Sequence, residues 1–274
     1  MDENPARASA AAQDLVATAA QGPITTLTLN DPAKRNALSL PMMRALTAAL
    51  ERVAADPQCR AVVLASTGTV FSAGHDLAEL RGAPESAAQE LFDTCAQLML
   101  LIQRIPQPVI ARVQGLATAA GCQLAATCDL AVAAQGASFA TPGVRIGLFC
   151  STPMVALSRA VDRKTALRML LTGEALSAQD ALVHGLVSHV VPAEQLEARA
   201  HEVAAQVASA SGATVALGKR AFYAQAELPT AEAYEQMARV MTANAGLGDA
   251  QEGIGAFIDK RAPVWQHRGA AATP

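Results

Sequence analysis

The stretch VQGLATAAGCQLAATCDL, residues 113–130, carries a strand end, a turn, a short helix and a second strand start within eighteen residues. Val109–Val113 is a β-branched run that reads as a strand and stops at Gly115. Ala119, Ala120 and Gly121 then open a small-residue helix that runs to Cys128, and Leu130–Ala133 resumes as strand. The same alternation extends outward in both directions. Ile24–Asn30 alternates Leu27 and Leu29 against Thr26 and Thr28, and Asp31-Pro32 breaks it. A helix begins near Leu40 with Ser39 as N-cap, and Met43, Leu46, Leu50 and Val53 form its apolar stripe. Ala61–Ala65 is a continuous apolar run suited to a buried strand, and a helix over about 86–104 stops before Pro106 and Pro108. Ser177 caps a short helix, AQDALVHG, that leads into a strand over Leu186–Val191. The expected fold class is α/β. After residue 193 the pattern changes to three helices over 194–209, 213–226 and 230–244. The domain expectation is therefore an Ala-rich disordered extension over 1–22, an α/β core over 23–193 and a helical region over 194–274.

Composition narrows the function classes. The chain has 274 residues, 51% hydrophobic and only 16% charged, enough for a substantial core. A net charge of −3 argues against nucleic acid as a partner, because phosphate binding needs a basic face. No run of about 18 apolar residues occurs, so no membrane span is expected. Asp2 and Glu3, with no apolar segment behind them, speak against a secretory signal, and the single early Arg7 makes a poor transit peptide. Five scattered cysteines (Cys59, Cys95, Cys122, Cys128, Cys150) suit reduced, buried thiols better than a disulfide framework. Together these features set the expectation of a cytoplasmic protein.

Two segments carry chemistry. FSAGHDL (71–77) follows a buried strand, and its Ala73-Gly74 pair permits a tight turn that leaves a backbone N–H pointing into a cleft. The start of the helix at Ala119–Gly121 offers unpaired N–H groups at a positive dipole end. Taken alone, the first reads as a strand-to-helix turn with Asp76 as a cap, and the second as a helix packed closely on a sheet. Taken together, two such donors make an oxyanion hole for a thioester oxygen, worth roughly 3 to 4 kcal/mol per donor when charge develops there.

With these residues in view, DPAKRNALSL (31–40), FSAGHDL (71–77), VQGLATAAGCQLAATCDL (113–130), AQDALVHGLVSHVVP (178–192) and QEGIGAFIDKR (251–261) resemble the enoyl-CoA hydratase/isomerase (crotonase) superfamily in order and spacing, over nearly everything after residue 23. ASFATPGVRIGLFCSTP (137–153) is most similar to its enoyl-CoA hydratase domain-containing protein 3 subgroup. The resemblance implies a spiral of ββα repeats with a C-terminal α-helical region that builds a homotrimer or a dimer of trimers. It implies an acyl-CoA thioester as ligand, with coenzyme A entering as part of the substrate and no separate cofactor. It places the oxyanion donors on the backbone of His75 and Ala120. Lys34, Arg35 and Ala37 fall in the CoA-binding loop, Ala73, Asp76 and Leu77 beside the substrate, and Phe257 and Lys260 at C-terminal positions that touch CoA, often on a neighbouring subunit.

The chain departs from that pattern where hydration needs acid–base groups. The two family glutamates are replaced by Gln123 and Gly143. A glutamine holds water but exchanges no proton near neutral pH, and glycine has no side chain. Each lost group typically costs about 10² to 10⁴-fold in rate, so hydratase activity is expected to be weak or absent. Isomerisation, decarboxylation, thioester hydrolysis and a non-catalytic acyl-CoA binder remain open. The His75 ring reads either as an acid–base group or as packing. Arg145 reads either as a partner for a substrate carboxylate or as a surface cation. Cys122, Cys150 and Ser151 read as packing, Asp76 and Asp129 as caps or acceptors, and His184 and His189 lack metal-ligand spacing, so no metal is expected.

Overall fold

The structure, a computed structural model, describes residues 14–267. The chain enters as an antiparallel hairpin, β1 (Val16–Gln21) and β2 (Ile24–Leu29), joined at Gly22 with φ +57°. Residues 16–21 are thus paired strand, which corrects the expectation of disorder through residue 22. The Thr/Ala/Gln run of β1 is exposed along most of its length and is held by its ladder to β2 rather than by burial, so its sequence carries no apolar signal. Residues 1–13 of the expected extension lie outside the described residues.

From β2 the chain passes to α1 (Leu40–Ala55), capped by the Ser39 hydroxyl accepting from the Met42 N–H. Each following turn lays one strand in a large sheet, one short strand in a small sheet, and then a helix. These sets are β3 (Ala61–Ser66), β4 (Val70–Ser72) and α2 (Glu85–Arg104), then β5 (Val109–Val113), β6 (Leu116–Thr118) and α3 (Ala120–Thr127). A third turn adds β7 (Leu130–Ala134), β8 (Ser138–Ala140), α4 (Ser151–Ala160) and α5 (Arg163–Thr172). Then come β9 (Leu176–Ser177), α6 (Ala178–Val183) and β10 (His189–Val191). The large sheet runs β1-β2-β3-β5-β7-β10, parallel after the first hairpin, and the small sheet runs β4-β6-β8-β9. This is a spiral of ββα repeats.

The continuous apolar strands are explained by burial on both faces. Val62, Leu64, Ala111 and Ala133 face the main core with α1 to α3. Val63, Ile110 and Val132 face the opposite way, against Leu196, Ala200, Val203 and Ala204 of α7 (Leu196–Ala208). The boundary drawn at 193/194 therefore separates α7 from the sheet it covers. Beyond it, α8 (Gly212–Gln225), α9 (Thr230–Ala245) and α10 (Gly248–Ile258) form the C-terminal helices.

One buried cluster ties those helices to the spiral. Lys219 of α8 donates to the carbonyls of Ile102 (2.7 Å) and Gln107 (2.9 Å) and pairs with Asp129 at 2.7 Å. Asp129 also accepts from the Val109 N–H and the Tyr223 hydroxyl, so it is a structural acceptor with every contact accounted for. All five cysteines are buried and unpaired, and desolvation pushes the Cys95 and Cys122 thiols up to about 12.

Candidate active site

A cavity of about 1000 Å³ opens between the turn after β2, the turn after β4, the start of α3 and the turn after β8. It brings together the residues expected to bind or polarise the thioester, Lys34, Arg35, Ala37, Ala73, His75, Asp76, Leu77, Ala120 and Gly143, and Ala119, Arg145, Cys150 and Ser151 also lie on its wall.

The first turn is built on Asn36, which sequence reasoning passed over. Its side chain is fully buried and donates to the carbonyls of Thr67 (2.8 Å) and Val70 (2.9 Å) while accepting from the Asp31 N–H. Arg35 and Asn36 are both left-handed, at φ 54° and 51°, a conformation asparagine tolerates better than most residues. The Asn in KRNAL was the available signal. Three bonds that stitch this turn to the backbone and Ser72 of FSAGHDL run from Ala73 N–H to Arg35 O, from Leu38 N–H to Gly74 O and from the Ser72 hydroxyl to Asn36 O, and the His75 ring and the Lys34–Asp76 pair add two more.

Gly74 and Ala119 bring the two candidate donors side by side. Gly74 has φ +84°, and a Cβ there would meet the Ala119 Cβ at 2.9 Å and the Ala120 nitrogen at 3.1 Å. Ala119 itself is held at φ 51°, ψ −120°, a region that costs an alanine about 1 to 3 kcal/mol. Its own N–H is fixed to Ala140 O at 2.8 Å. The backbone N–H groups of the next residues, His75 and Ala120, have no acceptor among the described residues. Gly121 admits the helix to this position: a Cβ there would lie 2.3 Å from the Ser72 carbonyl.

The His75 ring is anchored. Because a carbonyl only accepts, the 3.0 Å contact to Leu38 O puts the proton on Nδ1 and leaves Nε2 as an acceptor. Nε2 is buried without a partner among the described residues, and the ring meets Phe92 of α2 edge-on at 5.5 Å. Burial lowers its pKa, against the opposing pull of the Leu38 carbonyl and Glu79. Asp76 is the one carboxylate on the cavity wall among the described residues. It accepts from the Ala78 N–H and pairs with Lys34 at 3.1 Å, which together lower its pKa. It orients Lys34 and is poorly suited to holding a proton.

The two departures from the glutamate pattern differ in kind. Gln123 is 4% exposed and sits one turn inside α3, behind Ala120 and off the cavity wall, with its Oε1 facing the Cys95 thiol at 3.8 Å. Gly143 is on the wall, and the space a side chain would need is filled: a Cβ would lie 2.0 Å from Leu148 O and 2.8 Å from Cys150 Sγ. Phe257 and Lys260 do not line the cavity of this chain. Phe257 projects from α10, 85% exposed, and Lys260 follows with φ 55°. His184 pairs with Asp162 at 2.8 Å, away from the cavity.

The match of residues 19–268 to the enoyl-CoA hydratase/isomerase model adds the decisive comparison. The chain belongs to the enoyl-CoA hydratase/isomerase family. Its relatives include the enoyl-CoA hydratase domain-containing protein 3 of Rattus norvegicus, 52% identical over 92% of this chain and 85% of that one. The crystal structure of the human protein of that name is 48% identical, covers 92% of this chain and 100% of its own, and superposes with a TM-score of 0.90. An enoyl-CoA hydratase structure from Mycobacterium smegmatis is also 48% identical, covers 92% and 98%, and has a TM-score of 0.89. The crotonase-type spiral fold follows from these superpositions. The expectation of a cytoplasmic setting is corrected by the sequence relatives: those of rat, mouse and human are named as mitochondrial proteins, at 50 to 52% identity.

Proposed function

We propose that this family member binds an acyl-CoA thioester and stabilises an enolate-like state of it between the backbone N–H groups of His75 and Ala120. The observation that carries this is the pair of acceptor-less donors held side by side by Gly74 against Ala119 on a large, mostly apolar cavity wall. Lys34 and Arg35 meet the CoA nucleotide, the backbone near Ala37 its adenine or pantetheine, and Ala73, Asp76 and Leu77 border the reacting thioester. Coenzyme A enters as part of the substrate, with no separate cofactor. The protein works as a homotrimer or a dimer of trimers, in which Phe257 and Lys260 reach the CoA of a neighbouring subunit; the exposure of Phe257, Ile258 and Tyr234 supports this.

Hydration is weak or absent. Asp76 is engaged by Lys34, Gln123 transfers no proton, and position 143 has no room for a carboxylate. Isomerisation, decarboxylation or thioester hydrolysis fits the same donors. The second reading, an acyl-CoA binder without turnover, is favoured by the same lack of an unengaged carboxylate at the wall.

The test follows the absorbance of crotonyl-CoA, beside a crotonase that carries both glutamates. Hydration is expected at least about 10²-fold slower here. Comparable rates would sink the reading. Isothermal titration with a panel of acyl-CoA esters then separates the two remaining readings, since binding to all with turnover of none is the signature of the binder.

A further inference from the structure

The cavity wall has an order set by backbone contacts. Arg35 O accepts from Ala73 N–H (3.0 Å), Gly74 abuts Ala119, and Ala119 N–H reaches Ala140 O (2.8 Å) at the end of β8. Beyond β8 the chain makes the turn Pro142–Ile146 that carries Arg145. Arg35, the two candidate oxyanion donors and Arg145 thus share the wall of one cavity. With the thioester oxygen on those donors and its CoA directed to Lys34 and Arg35, Arg145 is the cation left on the wall for the acyl group.

Charge on this wall is unbalanced. Its ionic side chains are Lys34, Arg35, Asp76 and Arg145, and Asp76 is taken by Lys34. Arg35 and Arg145 have no carboxylate partner among the described residues, although the chain as a whole is net −3. Arg145 is also positioned. Its Nε donates to the Thr172 carbonyl at 3.0 Å, and Gly173 leaves the room its stem needs, since a Cβ there would meet Nε at 2.8 Å. Arg145 is exposed, and that bond engages Nε alone, so its two terminal nitrogens are left without acceptors among the described residues. The neighbouring wall is Ile146, Leu148 and Phe149, which suits a short methylene spacer.

We propose that the acyl group taken here ends in a carboxylate of its own, bound by Arg145 in a forked hydrogen-bonded pair, so that the substrate class is the ω-carboxyacyl-CoA thioester. The proposal rests on the reading of the cavity as an acyl-CoA site and names its specificity. A guanidinium held through Nε, with both terminal nitrogens available, matches a carboxylate better than any neutral chain end.

The experiment is isothermal titration of the full chain with matched saturated pairs: glutaryl-CoA against pentanoyl-CoA, and adipoyl-CoA against hexanoyl-CoA. The wild type is expected to favour the carboxylate-bearing member of at least one pair by about ten-fold or more. In Arg145→Leu that ratio falls to about one or below, and in Arg145→Lys it is intermediate, because the charge remains and the fork is lost. The ratio is read within each variant, so a general weakening does not imitate the result. A wild-type ratio near one in both pairs, or a ratio that survives Arg145→Leu, overturns the proposal. Failure of all four thioesters to bind instead overturns the acyl-CoA reading, and the proposal with it.

Discussion

Helix α3 buries seven of its eight residues, whereas α9, twice as long, buries none of its sixteen. Both are rich in alanine, and hydrophobic content does not separate them as much as their neighbours do. α3 is wedged against β4 through Gly121, opens on a strained Ala119 and presents an N–H to the cavity. α9 carries Tyr234 and Met241 into open surroundings. Apolar side chains left outward on a helix this long are the surface on which the proposed assembly would draw, while a helix this closely packed has little room to shift. The molecule thus keeps rigidity at the spiral wall and unspent apolar surface in the C-terminal helices.

The strongest test of that contrast acts on the seam joining the two regions. Lys219→Met leaves Asp129 with only its bonds from Val109 and Tyr223, and unfolding in denaturant is expected to lose about 3 to 5 kcal/mol. A loss under about 1 kcal/mol would mean the C-terminal helices are held mainly by something other than this ion pair. Next in size is Gly121→Ala. The added methyl must displace the Ser72 carbonyl, so stability is expected to fall by about 1 to 3 kcal/mol, with acyl-CoA binding falling as the wall moves. An unchanged melting profile would show that α3 has slack and break the comparison at its rigid end.

A smaller effect is expected from pH. Burial holds the His75 imidazole below its ordinary value of 6.5 in the folded chain. Below that pH the unfolded chain takes up the proton first, so folding is penalised as pH falls through the window down to the folded pKa. Above it, the ring is neutral in both states and makes no pH-dependent contribution. The stability difference between wild type and His75→Gln should therefore shift against the wild type as pH drops from 7 to 5, by about 1.4 kcal/mol per unit of pKa depression. A difference that stays flat with pH would show a ring that titrates normally. Smallest are changes on α9: Tyr234→Asp and Met241→Asp should alter the protomer's own stability by less than about 0.5 kcal/mol. Sedimentation velocity is expected to show the wild type as a trimer or hexamer and these variants as smaller species. A monomeric wild type would turn the exposed face of α9 into a surface with some other use.

Much of the spiral was legible because its large-sheet strands are buried on both faces. A run such as AVVLA has few other places to go, and the observed strand, Ala61–Ser66, overlaps its expected bounds closely. The ends of α1, α2 and α3 were readable from Ser39, Pro106 and the small residues at 119–121. The strands β4, β6, β8 and β9 were not, since two or three residues carry no periodicity, and β1 was hidden by its exposed Ala/Thr composition. The site showed the same division. Gly74, Ala119, Ala120 and the absence of carboxylates at 123 and 143 are statements about residue identity, which a sequence contains in full.

What sequence alone determined was therefore the inventory: which groups are present to bind or transfer a proton, and in what order along the chain. Tertiary structure decided what those groups face. Asn36 became the support of the cavity's first turn, Asp76 became the partner of Lys34, Gln123 went behind the wall, and the space beside Gly143 was filled by Leu148 and Cys150. The reason is physical. Hydrogen bonds, desolvation and steric exclusion act over a few ångströms, and the residues that meet at this cavity lie from tens to more than a hundred positions apart in the chain.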